Sequence, residues 1–498
     1  MSFAIFKQAA LRTLVRDFAR SNALVALVGA GASVESRLPS WEDLVEAALL
    51  RAAADAKLPL STDETARWAA DTIRRDSLLG AMATAKTLIK EPVKKWLPEL
   101  LYGEGGAGAY QPGPISRQVA YMSAIFERHL DIATTNYDDL LEIALEHRDE
   151  IKVPIFPYTG PKSRRPPKGA HIKVRHLHGF YGRTRQQGET ILTLEQYHQL
   201  QRGSSWQESY IGEKMMEGDC IFIGMSMTDS NILRYLDYYS APGQHHAALI
   251  VRQSERSNNA NIQAAHEMAT AARWKAKGVK ATFLDHFADV AYVLHEIAYC
   301  RQVSVQNYRS LDQRCARWLK AVERRIIAPH SPRKFRDGQA AMSEVLRGTL
   351  GAALKAVAEG GVNIEDDKLA MSLWLLSSDG TRLTCWSSTD RLQYDPDTIM
   401  PVPLDAGSKW LAVSAMCHGK QVVGKPTASP SRWGYIVGLP LQVNPDGDGT
   451  LPVGCLTITS MRSEAHTILT SMPADVAAEF NGTVRKAIAA FLLEGSKA

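Results

Sequence analysis

Between residues 23 and 285 short apolar runs recur, each closing on a turn or polar residue: ALVALVG (23–29), HLDIATTN (129–136), HIKVRHLHG (171–179), DCIFIGMS (219–226), HAALIVRQ (246–253) and VKATFLD (279–285). They are partly β-branched and short, and stretches with apolar residues at helical spacing, such as WEDLVEAALLRAAADA and SNILRYLDYYSA, stand beside them. Strands alternating with helices predict an α/β fold, a doubly wound parallel sheet covered on both faces.

The pattern changes near residue 300. A charged helix, LDQRCARWLKAVERRI, and the Pro-rich basic stretch APHSPRKFRDG fill the region read as a helical linker, residues 301–336. Beyond it come a helix (GQAAMSEVLRGTLGAALKAVAEG), a hairpin (LAMSLWLLSSDGTRLTCWSS) turning on SDG, a second hairpin with NPDGDG as its loop, and a closing helix, PADVAAEFNGTVRKAIAAFLLEG. Helix, antiparallel strands and helix make residues 337–498 a smaller α+β domain, distinct from residues 1–300.

Composition adds limits. With 498 residues the chain is expected to form two or three domains, and 45% hydrophobic against 22% charged residues matches a soluble globular protein without a membrane span. The opening MSFAIFKQAALRTLVRDFAR carries Arg and Asp within its apolar pattern, so it reads as a first helix and not as a secretory signal. Six scattered cysteines without a C-x-x-C pair suggest neither a zinc ribbon nor a disulfide framework, and fit a reducing cytoplasm. A net charge of +5 is mild, which makes direct nucleic-acid binding an unfavoured function. The one basic run, GPKSRRPPKGAHIKVR (160–175), is either a solvated loop or an anion-facing lid.

In a doubly wound sheet ligands bind beyond the carboxyl ends of the strands. Four such ends stand out. Gly29, Ala30, Gly31 and Ser33 form a small-residue turn suited to a phosphate or simply to a tight bend; the third glycine of the usual dinucleotide fingerprint is replaced by Val34. In TTNYDDLLE, Asn136 can position a water or a ribose hydroxyl, while Asp138 either orients it or caps the following helix. In HLHGFYG, His178 is a structural histidine or a general base. In FIGMSMTDSN, Gly224 and Ser226 make a second small-residue turn, and Asp229 and Asn231 suit ribose or adenine, with helix capping the other reading of Asp229.

The order GAGAS, TTNYD, LHG, GMSMTDSN resembles the sirtuin-like domains of bacterial antiphage defence proteins over residues 1–300. The resemblance implies a Rossmann-like sheet that takes NAD+ as substrate, without a metal. It implies catalytic roles for Asn136 and His178, a phosphate turn at Gly29, Ala30, Gly31 and Ser33, and a nicotinamide-side segment at LPSW with Trp41. Asp138 would belong to the nicotinamide pocket, and Gly224, Ser226, Asp229 and Asn231 to the adenosine ribose contact. Protein-deacylating sirtuins carry a four-cysteine zinc module and a Val-x-Pro segment. Here the interval from His178 to Gly224 holds only Cys220 and no such segment, which favours the branch that hydrolyses NAD+.

Residues 337–498 resemble a GAF domain in layout, which implies either a sensor of small ligands or an assembly module. The expected function is therefore NAD+ hydrolysis to nicotinamide and ADP-ribose in abortive infection. The enzyme is expected to be cytoplasmic, homo-oligomeric and off until a nucleotide-like activator or a partner subunit acts through residues 337–498. The alternatives are an NAD-dependent protein deacylase or ADP-ribosyltransferase, and a non-catalytic NAD-binding assembly subunit.

Overall fold

The computed structural model describes the chain apart from residues 1–5, 7, 104–105, 162–165, 184–185, 202–204, 226–229, 240–244, 253–259, 323–331, 365–366, 392–398, 406–407, 420, 427–430, 444–450 and 498. It forms two units, Leu14–Val305, and Gln306–Ala498 together with Met1–Thr13.

The first unit is built on a parallel sheet. Its strands are β1 (Leu24–Val28), β2 (Leu130–Thr134), β3 (Ile155–Tyr158), β4 (Ile172–His176), β7 (Asp219–Ile223), β8 (His246–Val251) and β9 (Val279–Leu284), in the order β3-β4-β2-β1-β7-β8-β9. A two-stranded ribbon, β5 (Phe180–Tyr181) and β6 (Gln186–Gln187), follows β4. All five residues of β1 are buried, as expected of a central strand covered on both faces. The six strands read from the sequence are all present; β3 is additional. Its sequence, IFPY, carries Pro157 and is preceded by Pro154, and it lies at the sheet edge, where a missing N–H costs least.

The chain leaves β1 toward β2 on one side and later returns to β7 on the other, so the direction of winding reverses at β1. That switch point opens a crevice at the carboxyl end of β1. Register aligns Val28 with Thr134 of β2 and Ile223 of β7, and Thr134 with His176 of β4. The segments after these four strands therefore leave the sheet side by side.

A helical layer covers this end. The helix Trp41–Asp55 starts at a capping box, in which Ser40 Oγ accepts from Asp43 N–H and the Asp43 carboxylate accepts from Ser40 N–H. Its buried face joins the helices Thr62–Leu88 and Val93–Tyr102 in a cluster including Val45, Leu49, Met82 and Trp96. Tyr137 and Leu140, which flank Asp138, belong to the same cluster.

The second unit holds an antiparallel sheet of β10 (Leu369–Leu376), β11 (Arg382–Ser388), β12 (Val402–Pro403), β13 (Val422–Gly424), β14 (Tyr435–Val443) and β15 (Leu451–Ser460), in the order β12-β11-β10-β15-β14-β13. The helices Pro332–Glu359 and Ala474–Lys497 pack on each other, and Leu411–His418 packs on β14 and β15. Helix, antiparallel strands and helix is the layout read from the sequence; the NPDGDG loop lies outside the described residues. The helix Leu311–Val322 packs on β15 and on Ala474–Lys497, and the long helix begins at Pro332, so part of the stretch read as linker joins this unit. No described helix is long and apolar enough to cross a membrane.

Candidate functional site

The glycine turn after β1 meets the turn after β7. Gly29 N–H donates to Ile223 O at 2.9 Å and Gly31 N–H to Gly224 O at 2.8 Å. A Cβ on Gly29 or on Gly31 would lie 2.8 Å from Gly224 O, and one on Gly224 would lie 2.5 Å from Ala32 N. Gly224 also has a φ of +62°, which favours glycine. All three glycines are thus required by turn-to-turn packing, a reason independent of any phosphate. Ala30 precedes the single helical turn Gly31–Val34, which buries Ala32 and Ser33.

The segment after β2 is fixed by its own polar groups. Thr134 Oγ1 donates to Val28 O at 2.8 Å and accepts from Asn136 N–H at 2.9 Å. Ser33 Oγ donates to Asp138 Oδ2 at 2.9 Å, and Asn136 Nδ2 donates to Ser33 Oγ at 3.0 Å. Asp138 Oδ1 accepts from Leu140 N–H at 3.1 Å, the first N–H of the helix Leu140–Glu146 whose N-cap position is Asp139, so this carboxylate both holds the helix start and orders the cluster. Ser33, Asn136 and Asp138 are all buried, and burial pushes the Asp138 carboxyl up to about 6, against the lowering effect of its Ser33 and Leu140 donors. Asn136 Oδ1 is buried and has no hydrogen-bond partner among the described residues. Since Ser33 spends its proton on Asp138, it faces Asn136 as an acceptor, and the amide oxygen is the end left open.

His178 follows β4 by two residues, as Asn136 follows β2. It is buried, its ring meets Tyr197 edge-on at 5.3 Å between centroids, and Tyr197 Oη lies 3.4 Å from Nε2. Gly179 has a φ of +103°, and a Cβ there would lie 3.0 Å from Glu189 O, so that glycine serves the backbone path. Trp41 is partly buried against the helical cluster that contains Tyr137 and Leu140. Ser226 and Asp229 lie outside the described residues; Asn231 is in the helix Ser230–Tyr239.

The structure therefore brings together Gly29, Ala30, Gly31, Ser33, Asn136, Asp138 and Gly224 at the switch point, with His178 two residues past the adjoining strand β4. Sequence reasoning singled out neither Tyr197 nor the pair His176 and Glu142, which sits directly behind Asn136: His176 Nδ1 is 3.0 Å from Asn136 O and Nε2 is 2.8 Å from Glu142 Oε1. A signal was present in LLEIAL, where one acid interrupts an apolar helix, and in the first histidine of HLHG.

A parallel sheet with a buried polar cluster at its switch point defines an α/β unit of the doubly wound class. Within it, residues 131–281 match the family described as a SIR2-like domain. No curated protein matches the chain. Among solved structures, a Sir2 homologue in complex with NAD is similar at 14% identity, covering 58% of this chain and 93% of its own, with a TM-score of 0.30. A Sir2 homologue mutant in complex with ADP-ribose is similar at 14% identity over 60% of this chain and 98% of its own, with a TM-score of 0.31. A putative GAF sensor protein from Burkholderia vietnamiensis is similar at 15% identity, covering 39% of this chain and 93% of its own, with a TM-score of 0.19.

Proposed function

We propose that the unit Leu14–Val305 hydrolyses NAD+ to nicotinamide and ADP-ribose. The observation that carries this reading is the Asn136 amide: its nitrogen is tied through Ser33 to Asp138, and its buried oxygen has no partner among the described residues. A buried acceptor held open at a switch point suits a donor brought by a ligand, and a ribose hydroxyl or a water is such a donor. The SIR2-like match over residues 131–281 supports NAD+ as that ligand.

In the reaction the bond between nicotinamide nitrogen and ribose C1′ breaks, and nicotinamide leaves neutral with the electron pair. The water oxygen then bonds to C1′ and releases one proton. Asn136 Oδ1 accepts from the ribose or the water and fixes its approach; His178 takes the proton released. The reading assigns the small-residue turn of Gly29, Ala30, Gly31 and Ser33 to the dinucleotide phosphates, Asp138 and Trp41 to the nicotinamide side, and Gly224, Ser226, Asp229 and Asn231 to the adenosine ribose.

Uncontrolled hydrolysis would exhaust a cell's NAD+. The reading therefore includes an off state released in antiphage defence, by a nucleotide-like activator or a partner subunit acting through residues 337–498, and assembly of copies in the cytoplasm. The test incubates purified protein with NAD+, with and without candidate nucleotides, and resolves the products while oligomeric state is measured across protein concentration. Nicotinamide and ADP-ribose in equal amounts, at a rate per chain that changes with assembly or nucleotide, are expected. Product formation that requires an acyl-peptide, or label carried onto protein, would point to deacylation or ADP-ribosyl transfer instead.

A further inference from the structure

His176 and Glu142 lie outside the roles assigned above, and both are buried, at 1% and 5% exposure. A main-chain carbonyl only accepts, so the His176 Nδ1 facing Asn136 O carries a proton. The Nε2 side faces the Glu142 carboxylate, and that line holds one more proton. Phe180 closes the ring edge-on at 4.6 Å. Asp138 is the other charged group acting on His176, and Asp139 acts on Glu142. Burial is the largest single influence and disfavours a charged imidazole, but Glu142, the Asn136 carbonyl and Asp138 together outweigh it and the ring becomes more basic than usual.

As a source of stability this pair is poor, because apolar replacements of buried ion pairs are often neutral or better. Leu140, Leu141, Ile143, Ala144 and Leu145 are buried on the same helix, where an apolar side chain in place of Glu142 has suitable company. What the pair does fix is Asn136. His176 holds its carbonyl, Thr134 takes its N–H and Ser33 takes its amide nitrogen, so that only the amide oxygen is left open.

We propose that Glu142 and His176 are positioning residues for NAD+ cleavage, a buried pair that holds the main chain of Asn136 in the place from which its amide oxygen meets the substrate. This rests on the function proposed above. In the full-length protein, Glu142→Leu is expected to lower kcat about 100-fold, the effect of a small misplacement, with KM for NAD+ changed by less than about threefold. Glu142→Gln, which keeps a polar partner for Nε2, is expected to restore kcat to within about tenfold of wild type. Wild-type kcat in Glu142→Leu, or an equal loss in both variants, overturns the proposal.

Selective 15N-histidine NMR of the wild-type protein reads the pair without turnover. His176 is expected to keep Nδ1 protonated throughout the neutral pH range. A bare Nδ1 overturns the proposal even where Glu142→Leu does not fold. Wild-type protein that shows this signal yet leaves NAD+ intact removes the functional reading and, with it, the positioning role, while leaving the hydrogen bond itself established.

Discussion

Ser33 Oγ and Asp138 Oδ2 are joined at 2.9 Å across 105 residues of sequence, and this bond turns the end of β1 into an acceptor for the amide of Asn136. The direction of one hydroxyl proton thus determines which end of that amide stays open.

Removing the hydroxyl tests this directly. Ser33→Ala is expected to lower NAD+ cleavage by about 10- to 100-fold through loss of amide orientation. It also leaves the buried Asp138 without one donor, a destabilisation of about 1–3 kcal/mol. Steady-state kinetics with denaturant unfolding of the same sample separates the two effects.

Asp138 carries a pH signature. Its carboxyl is pushed up to about 6 in the folded protein, while the unfolded chain has the ordinary aspartate value of about 3.9. Between those values the native state binds more protons than the unfolded one, so this group's contribution to stability falls as pH rises and its cost is fully present above about pH 6. Relative to Asp138→Asn, wild type is expected to gain about 2–3 kcal/mol of unfolding free energy as pH is lowered from neutral to about 4. Urea titrations of both proteins at several pH values measure it; a difference independent of pH contradicts the assigned shift.

The two turns predict contrasting glycine substitutions. Gly224→Ala adds a Cβ 2.5 Å from Ala32 N at a φ of +62°, so a loss of at least about 2 kcal/mol is expected. Gly348→Ala, in the interior of the helix Pro332–Glu359 with no neighbour beyond the helix's own backbone within 4 Å of the added Cβ, is expected to stabilise by about 0.5–1 kcal/mol. Unfolding midpoints resolve the opposite signs.

Much of the architecture was legible because apolar runs and turn residues mark a buried parallel sheet locally. β3 was not, since Pro154 and Pro157 break the apolar pattern and only the edge position makes the strand tolerable. The two-residue β5, β6 and β12 are too short to leave any period. At the site, the sequence placed Asn136 and His178 at strand ends, but not the direction of the Ser33 hydroxyl bond or the contact of His176 with Glu142, 34 residues away. Gly29, Gly31 and Gly224 were legible as small residues, but not the close approach of the two turns, by which each other's backbones exclude a side chain there.

The most direct measurement is NAD+ turnover by the purified full-length protein, with nicotinamide and ADP-ribose quantified, beside Asn136→Ala and His178→Ala. The account predicts stoichiometric nicotinamide and ADP-ribose from wild type, and a loss of about 100-fold or more in each variant with folding intact, the magnitude of lost positioning and base catalysis. Intact NAD+ with wild type under every activating condition, or wild-type turnover in either variant, would contradict it.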